Sequence, residues 1–431
     1  MVLKLQKPPI APEPDEFIYD PEQREQPAPA PDDAQQNGSG RQTIEPLPLA
    51  WFQPFDISAL PLRAWLHAGH YIRKHVVMTV APGAWGKTSL VLLNAIEMAL
   101  GQGLIGPHPP KQLRVLYWNG EDPTDEIMRR IAAICLHYKI DMDSLRGHLV
   151  IGDRLKPDRR FAFLDQRQQL QMRFDVLMQF EQFIADNAID VVILDPLVNF
   201  HRVPESNNTA MEELVSTLSV IADRRDMCIE LNHHTRKPQG NFEITVDDSR
   251  GAGSIANAAR SVRVLNRMTA EEAKMPAIAQ EDRRAYLRIN RDKSNLIPAS
   301  KAAWIHLRSV ALGNDPKGGD GDKVQVIEAW DYPQPFDDVS ADDMRWMRNC
   351  VRLEQYRSNP RAEDWVGQPL AKRLGLDLDQ KADRERVVAI LKIWFKNGVL
   401  ATEQRADAKR RMREFVIPGN WNEGGDDAAP V

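Results

Sequence analysis

Residues 75–103, HVVMTVAPGAWGKTSLVLLNAIEMALGQG, constrain the fold more than any other stretch. The first seven, apolar except for His75 and Thr79, run into a glycine-containing loop. From Lys87 the apolar residues recur at helical spacing, until Gly101 and Gly103 end the run. Strand, glycine loop and helix in that order are the context a phosphate-binding loop requires, with the pattern G-x-x-x-x-G-K-[ST]. Ala81 stands at the first position, where one methyl at the strand exit is tolerable if φ is negative. Pro82, Gly83, Ala84, Trp85, Gly86, Lys87, Thr88 and Ser89 would form a cradle whose N–H groups and helix dipole hold the phosphates of ATP. Lys87 would reach the β- and γ-phosphates, and the Thr88 hydroxyl would bind Mg²⁺. Trp85 is bulky and is expected to point outward from the loop.

A glycine-lysine-threonine tripeptide alone is weak, so its surroundings matter. The apolar strand 189–197, IDVVILDPL, delivers Asp195. A carboxylate at the end of a parallel strand beside the loop can hold Mg²⁺ through water. The strand 113–122, LRVLYWNGED, delivers Glu121, which would polarise an attacking water, with Asp122 as its rival. The strand 227–234 brings Asn232, His233 and His234 to the same sheet edge, as sensors of the γ-phosphate. Metal binding by the paired histidines is the weaker reading, because no partner ligands stand at suitable spacing.

Between these strands lie the helical runs 123–138 and 208–226. Continuous apolar strands alternating with helices predict an α/β fold, a parallel sheet covered on both faces. Residues 259–268, 284–295, 302–312 and 324–330 read as further strands, the last three extending the sheet. The proline- and acid-rich stretch 1–47 reads as a disordered tail, with EFIYDPEQ as a possible docking segment, and 418–431 as a second tail. The ATPase domain is then expected over 48–335 and a smaller one over 344–417.

Three widely spaced cysteines and the lack of a signal-peptide pattern or a long apolar run place the expected chain in the cytoplasm. The net charge of -5 gives no general warrant for nucleic-acid binding. It is uneven: residues 1–45 hold four Lys/Arg against nine Asp/Glu, and 341–417 hold seventeen against twelve.

The segments PLRAWLHAGHYIRKHVVMTVAPGAWGKTSL, LYWNGED, VVILDPL, LNHHTRK and SRGAGSIANAARSVRVLNRMTAEEA, in this order, resemble the RecA-like ATPases of the RepA type. These are hexameric replicative helicases of plasmids and phages. The resemblance covers residues 50–300, although Ala84 and Trp85 depart from the usual Gly-Val. It implies a RecA-like P-loop core that uses ATP and Mg²⁺. Lys87 and Thr88 match the Walker A pair, Glu121 the catalytic glutamate, Asp195 the Walker B aspartate, and His234 or His233 the sensor histidine. It further implies that Arg260 is an arginine finger acting on a neighbour's ATP, with Arg250 and Lys293 as further trans candidates. A finger in trans requires a homo-oligomer, by resemblance a hexameric ring. Single-stranded DNA would meet two loops, 199–210 and 236–254, through Arg202, Arg236, Lys237 and Arg250.

Residues 344–417 read as a winged helix, two short helices, a longer one and a hairpin. Lys381, Arg384, Arg386, Lys409, Arg410 and Arg411 could contact duplex DNA there, and such modules also dock proteins. The expected function is an ATP-driven DNA helicase or translocase replicating a mobile element. The alternatives are an ATP-switched DNA-binding regulator and a helicase loader, neither of which unwinds.

Overall fold

The computed structural model describes residues 52–154, 156–235, 243–245, 252–274, 278–294, 296, 302–406 and 410–421. The expected tail over 1–47 lies outside them, as do Arg236, Lys237, Arg250 and Lys409. The chain divides into two units, Met1–Pro61 and Leu62–Val431. In the first, a 3-10 turn over Ile57–Ala59 is capped by the Asp56 side chain.

The second unit opens with a small hairpin, β1 (Trp65–His67) and β2 (Tyr71–Ile72). Then follow β3 (His75–Pro82), α1 (Lys87–Leu100), β4 (Val115–Asn119), α2 (Thr124–Tyr138) and β5 (Leu149–Gly152). Next come β6 (Ala162–Leu164), β7 (Leu170–Met172), α3 (Phe174–Asp186), β8 (Val191–Asp195) and β9 (His201–Arg202). The core continues with α4 (Asn208–Arg224), β10 (Cys228–Thr235), α5 (Ala252–Ala258) and β11 (Ser261–Arg267). It closes with β12 (Tyr286–Ser294), β13 (Ala303–Ala311) and β14 (Lys323–Ala329).

Nine of these strands form one sheet, in the order β14-β13-β12-β11-β3-β10-β8-β4-β5. From β11 to β5 every neighbouring pair is parallel, and β12 to β14 extend the sheet in antiparallel fashion. The parallel strands are apolar on both faces because both faces are covered. Val76, Met78 and Val80 pack on the side of α3 and α4, while Val77 and Ala81 pack on the side of α1 and α2. β10 lies between β8 and β3, so the Asp195 strand is one strand removed from β3. Strand adjacency depends on long-range pairing, which local apolar patterning does not encode.

A line of polar side chains runs through the buried sheet near β1 and β2. Glu230 receives a hydrogen bond from His70 Nε2 at 2.9 Å and another from the Thr79 hydroxyl. Arg263 donates to Thr79 at 2.7 Å and to the Tyr71 hydroxyl at 3.0 Å, and lies 3.9 Å from the Glu230 carboxylate. Burial pushes the His70 pKa down to about 4, so His70 is neutral at neutral pH. Burial opposes ionisation of Glu230, yet His70, Arg263 and Thr79 outweigh it and lower its pKa. Removing one partner of such a set leaves the others buried and unpaired. Glu230→Ala is therefore expected to cost about 3–5 kcal/mol of stability in denaturant unfolding. A loss under about 1 kcal/mol would show that water replaces the carboxylate freely.

The C-terminal segment holds three helices, α6 (Ala341–Leu353), α7 (Gly367–Leu374) and α8 (Lys381–Lys396), and the hairpin β15 (Leu400–Ala406) with β16 (Met412–Pro418). A capping box of Ser340 and Asp343 starts α6. Met347, Leu370, Val387, Ile390, Leu391 and Trp394 make a separate core. Residues 418–421 are not tail: Trp421 donates its N–H to Gly398 O at 3.1 Å and lies under Arg348. Residues 422–431 are outside the described set.

Candidate functional site

β3 ends at Pro82, and Gly86 caps α1 with φ of 74°. That left-handed conformation favours glycine, and a Cβ at Gly86 would stand 3.0 Å from Leu287 and 3.1 Å from Leu307. The antiparallel strands β12 and β13 thus form the floor of the loop. Ala84 is also left-handed, with φ of 64°, a conformation its side chain gave no hint of. Trp85 does not point freely outward. It is half-buried, packs against both apolar cores, and has the Arg267 guanidinium 5.0 Å from its ring centroid. Thr88 and Ser89 follow Lys87 in the first turn of α1 and are partly exposed.

Lys87 is 3% exposed, and its Nζ has no hydrogen-bond partner. Burial lowers its pKa to about 8, against the pull of Asp195, Glu121 and Glu205. It remains mostly protonated at neutral pH. A buried ammonium without a partner, at a helix N-terminus behind a glycine loop, fits an anionic phosphate.

Asp195 is fully buried at the end of β8. The Tyr117 hydroxyl donates to its Oδ2 at 2.7 Å, and Asn232 Nδ2 donates to its Oδ1. Burial keeps the Tyr117 phenol far above its ordinary pKa, so it stays a donor. The carboxylate is held in one orientation, with lone pairs left for a metal or its water.

Glu121 lies just past β4. The Asn119 side-chain oxygen accepts the N–H groups of Glu121 at 2.8 Å and Asp122 at 2.6 Å. Gly120 permits a close approach, since a Cβ there would stand 2.6 Å from Asn199. The Glu121 side chain is 62% exposed, and its Oε2 is 3.8 Å from His234 Nε2. Asp122 instead faces Arg130 at 3.2 Å. Of the two carboxylates, Glu121 is the one near the phosphate loop with no ion pair to Lys or Arg among the described residues.

The paired histidines part company. His234 is half-buried beside Glu121, and burial followed by the Lys87 charge lowers its pKa. His233 is buried, with its pKa pushed to about 3 by burial and then by Lys87. Its Nδ1 lies 3.7 Å from Glu205. Both imidazoles are neutral at neutral pH. No group of metal-ligating side chains occurs among the described residues.

The loop expected over 199–210 is shorter than its sequence suggested. A 3-10 turn over Leu197–Phe200 and the strand β9 take its first part, and Asn207 caps α4. β9 joins a small sheet in the order β7-β6-β9. Arg202 is exposed on that strand, while Glu205 turns toward Lys87 and His233. Lys293 lies on β12 opposite Val262.

Arg260 is exposed just before β11, and its N–H bonds to Val76 O at 2.8 Å. This is the start of the parallel pair β3 and β11, whereas the phosphate loop follows its end. Seven residues of strand separate the two, about 20 Å. An arginine side chain cannot span that distance, so Arg260 does not reach the phosphate loop of its own chain.

Asn119, Tyr117, Glu205 and Arg267 escaped the sequence reading. Tyr117 alone left a signal, since it shares a strand face with Asn119 two residues on. The others depend on tertiary placement.

In the C-terminal segment Arg384 donates to Pro360 O at 3.1 Å and lies 5.6 Å from the Trp365 ring centroid. Arg386 donates to Pro335 O at 3.1 Å. Both bonds tie α8 to neighbouring segments, and Arg384 remains exposed. Lys381, Arg410 and Arg411 are exposed.

Residues 42–240 match the family model described as AAA domain. With the phosphate loop, Asp195 and the parallel-rich sheet, this defines a P-loop ATPase domain whose architecture fits a RecA-like core. Domains of this class generally bind ATP with Mg²⁺. Lys87 would meet the phosphates, and Thr88 and Asp195 the metal. No helix among the described residues is long and apolar enough to cross a membrane.

Proposed function

We propose that the protein is an ATP-driven DNA translocase of the RepA type, acting as a homo-oligomeric ring in replication of a mobile element. The observation that carries this reading is the distance between Arg260 and the phosphate loop of its own chain. A site whose arginine must come from a neighbour is complete only in an assembly. Glu121 orients and deprotonates the attacking water, and Asp195 with Thr88 would hold Mg²⁺, which would supply positive charge to the phosphates. Lys87 and the neighbour's Arg260 meet the charge developing on the phosphate. His234 couples the Glu121 side of the site to β10, and so to the loop after it.

Single-stranded DNA is the proposed track, met by the loops after β8 and β10. Steady-state ATP hydrolysis is expected to rise about tenfold or more with any single strand. Hydrolysis indifferent to single strands would overturn the translocase reading and leave a switch or loader. A groove of about 850 Å³ between α8 and the hairpin, walled by Val388, Leu391 and Phe395, favours a protein partner for the winged-helix-like segment. Duplex DNA at that segment would rely on Lys381, Arg410 and Arg411.

A further inference from the structure

Arg267 closes β11 beside the phosphate loop, far from the Arg260 end of the same strand. Its Nη2 donates to Ala84 O at 2.7 Å, and its guanidinium lies over the Trp85 ring. Among the described residues it has no carboxylate partner, and its Nε is buried without a hydrogen bond. Arg283, which donates to Met268 O at 2.7 Å, and Arg284 bring further positive charge to this side. Burial, with Arg284 and Arg283 adding to it, lowers the Arg267 pKa. The arginine stays charged all the same, since its ordinary pKa is so high.

The bond to Ala84 has a geometric consequence. In a trans peptide the C=O and the next N–H point in opposite directions. Arg267 draws the Ala84 carbonyl toward β11, so the Trp85 N–H points away from the guanidinium. Ala84 meanwhile holds a left-handed φ that costs a non-glycine residue about 1 kcal/mol. Something must hold it there, and the planar guanidinium does so at two points, by hydrogen bond and by stacking.

We propose that Arg267 is a positioning residue for nucleotide binding. It clamps the Ala84–Trp85 peptide from outside the loop, so that the Trp85 N–H is presented to phosphate. This rests on the reading of residues 82–89 as the phosphate cradle. It also explains how a loop with Ala-Trp in place of glycine-rich residues keeps its shape.

The test is titration of the full chain with a fluorescent ATP analogue, and with ADP, alongside thermal melting. Arg267→Met is expected to weaken both nucleotides about tenfold, since the loop loses its clamp. Arg267→Lys keeps the charge but not the planar stack, and should lose most of that affinity too. Ala84→Gly relieves the left-handed strain, so in the Arg267→Met background it should restore about fivefold. A merely structural arginine would lower the melting temperature without that rescue. Nucleotide affinity within about twofold of wild type in both Arg267 variants would overturn the clamp, as would absence of rescue. Lys87→Ala separates the two readings: if it binds nucleotide like wild type, the cradle itself is wrong.

Discussion

Arg260→Ala is expected to lower ATP hydrolysis about a thousandfold or more while ATP affinity stays within a few-fold of wild type. The reason is position. Arg260 is exposed, and its backbone is bonded to the start of β3, so its loss disturbs neither the buried core nor the loop. An arginine that meets transition-state charge in trans contributes to turnover far more than to ground-state binding. Mixing distinguishes this from damage to the fold. In a ring assembled from equal parts of Arg260→Ala and Lys87→Ala subunits, about a quarter of interfaces join an intact loop to an intact arginine. Hydrolysis should therefore return in the mixture, although neither variant hydrolyses alone. If Arg260→Ala hydrolyses normally, the shared site is wrong.

Lys87→Ala is expected to abolish hydrolysis and to weaken ATP binding. Lys87 is buried without a hydrogen-bond partner, and its lowered pKa shows that burial penalises its charge in the ligand-free protein. That penalty is recovered only when phosphate arrives. The companion substitution Lys87→Met, of similar length and no charge, should therefore melt no lower than wild type while being equally dead. Persisting hydrolysis in Lys87→Ala would mean that turnover occurs elsewhere on the chain. A marked fall in the melting temperature of Lys87→Met would mean that the neighbouring carboxylates need this ammonium to fold.

The parts of this molecule legible in its sequence are those governed by local rules. A mostly apolar stretch, a glycine loop and an apolar-periodic run announced β3, the phosphate loop and α1. Continuous apolar strands announced a parallel sheet, and Asp195 and Glu121 stand at strand ends because their strands stop there. The order of strands was not legible, since β10 enters between β8 and β3 by pairing with β3, more than a hundred residues away in sequence. Nor was Glu205, which a loop brings to Lys87 from beyond β9. The left-handed Ala84 and the half-buried Trp85 also escaped, because both are held by Arg267, which long-range pairing of β11 with β3 brings to the loop.

The antiparallel strands beneath Gly86 carry a consequence for what counts as the minimal nucleotide-binding unit. The AAA-domain match ends at residue 240, before β11, yet Leu287 and Leu307 support the glycine and Arg267 grips the loop. A fragment cut at the end of the match would turn β3 into an exposed edge and remove the floor of its own loop. The catalytic motifs and the scaffold that shapes them therefore occupy different halves of this domain's sequence, and neither half is a nucleotide-binding module without the other.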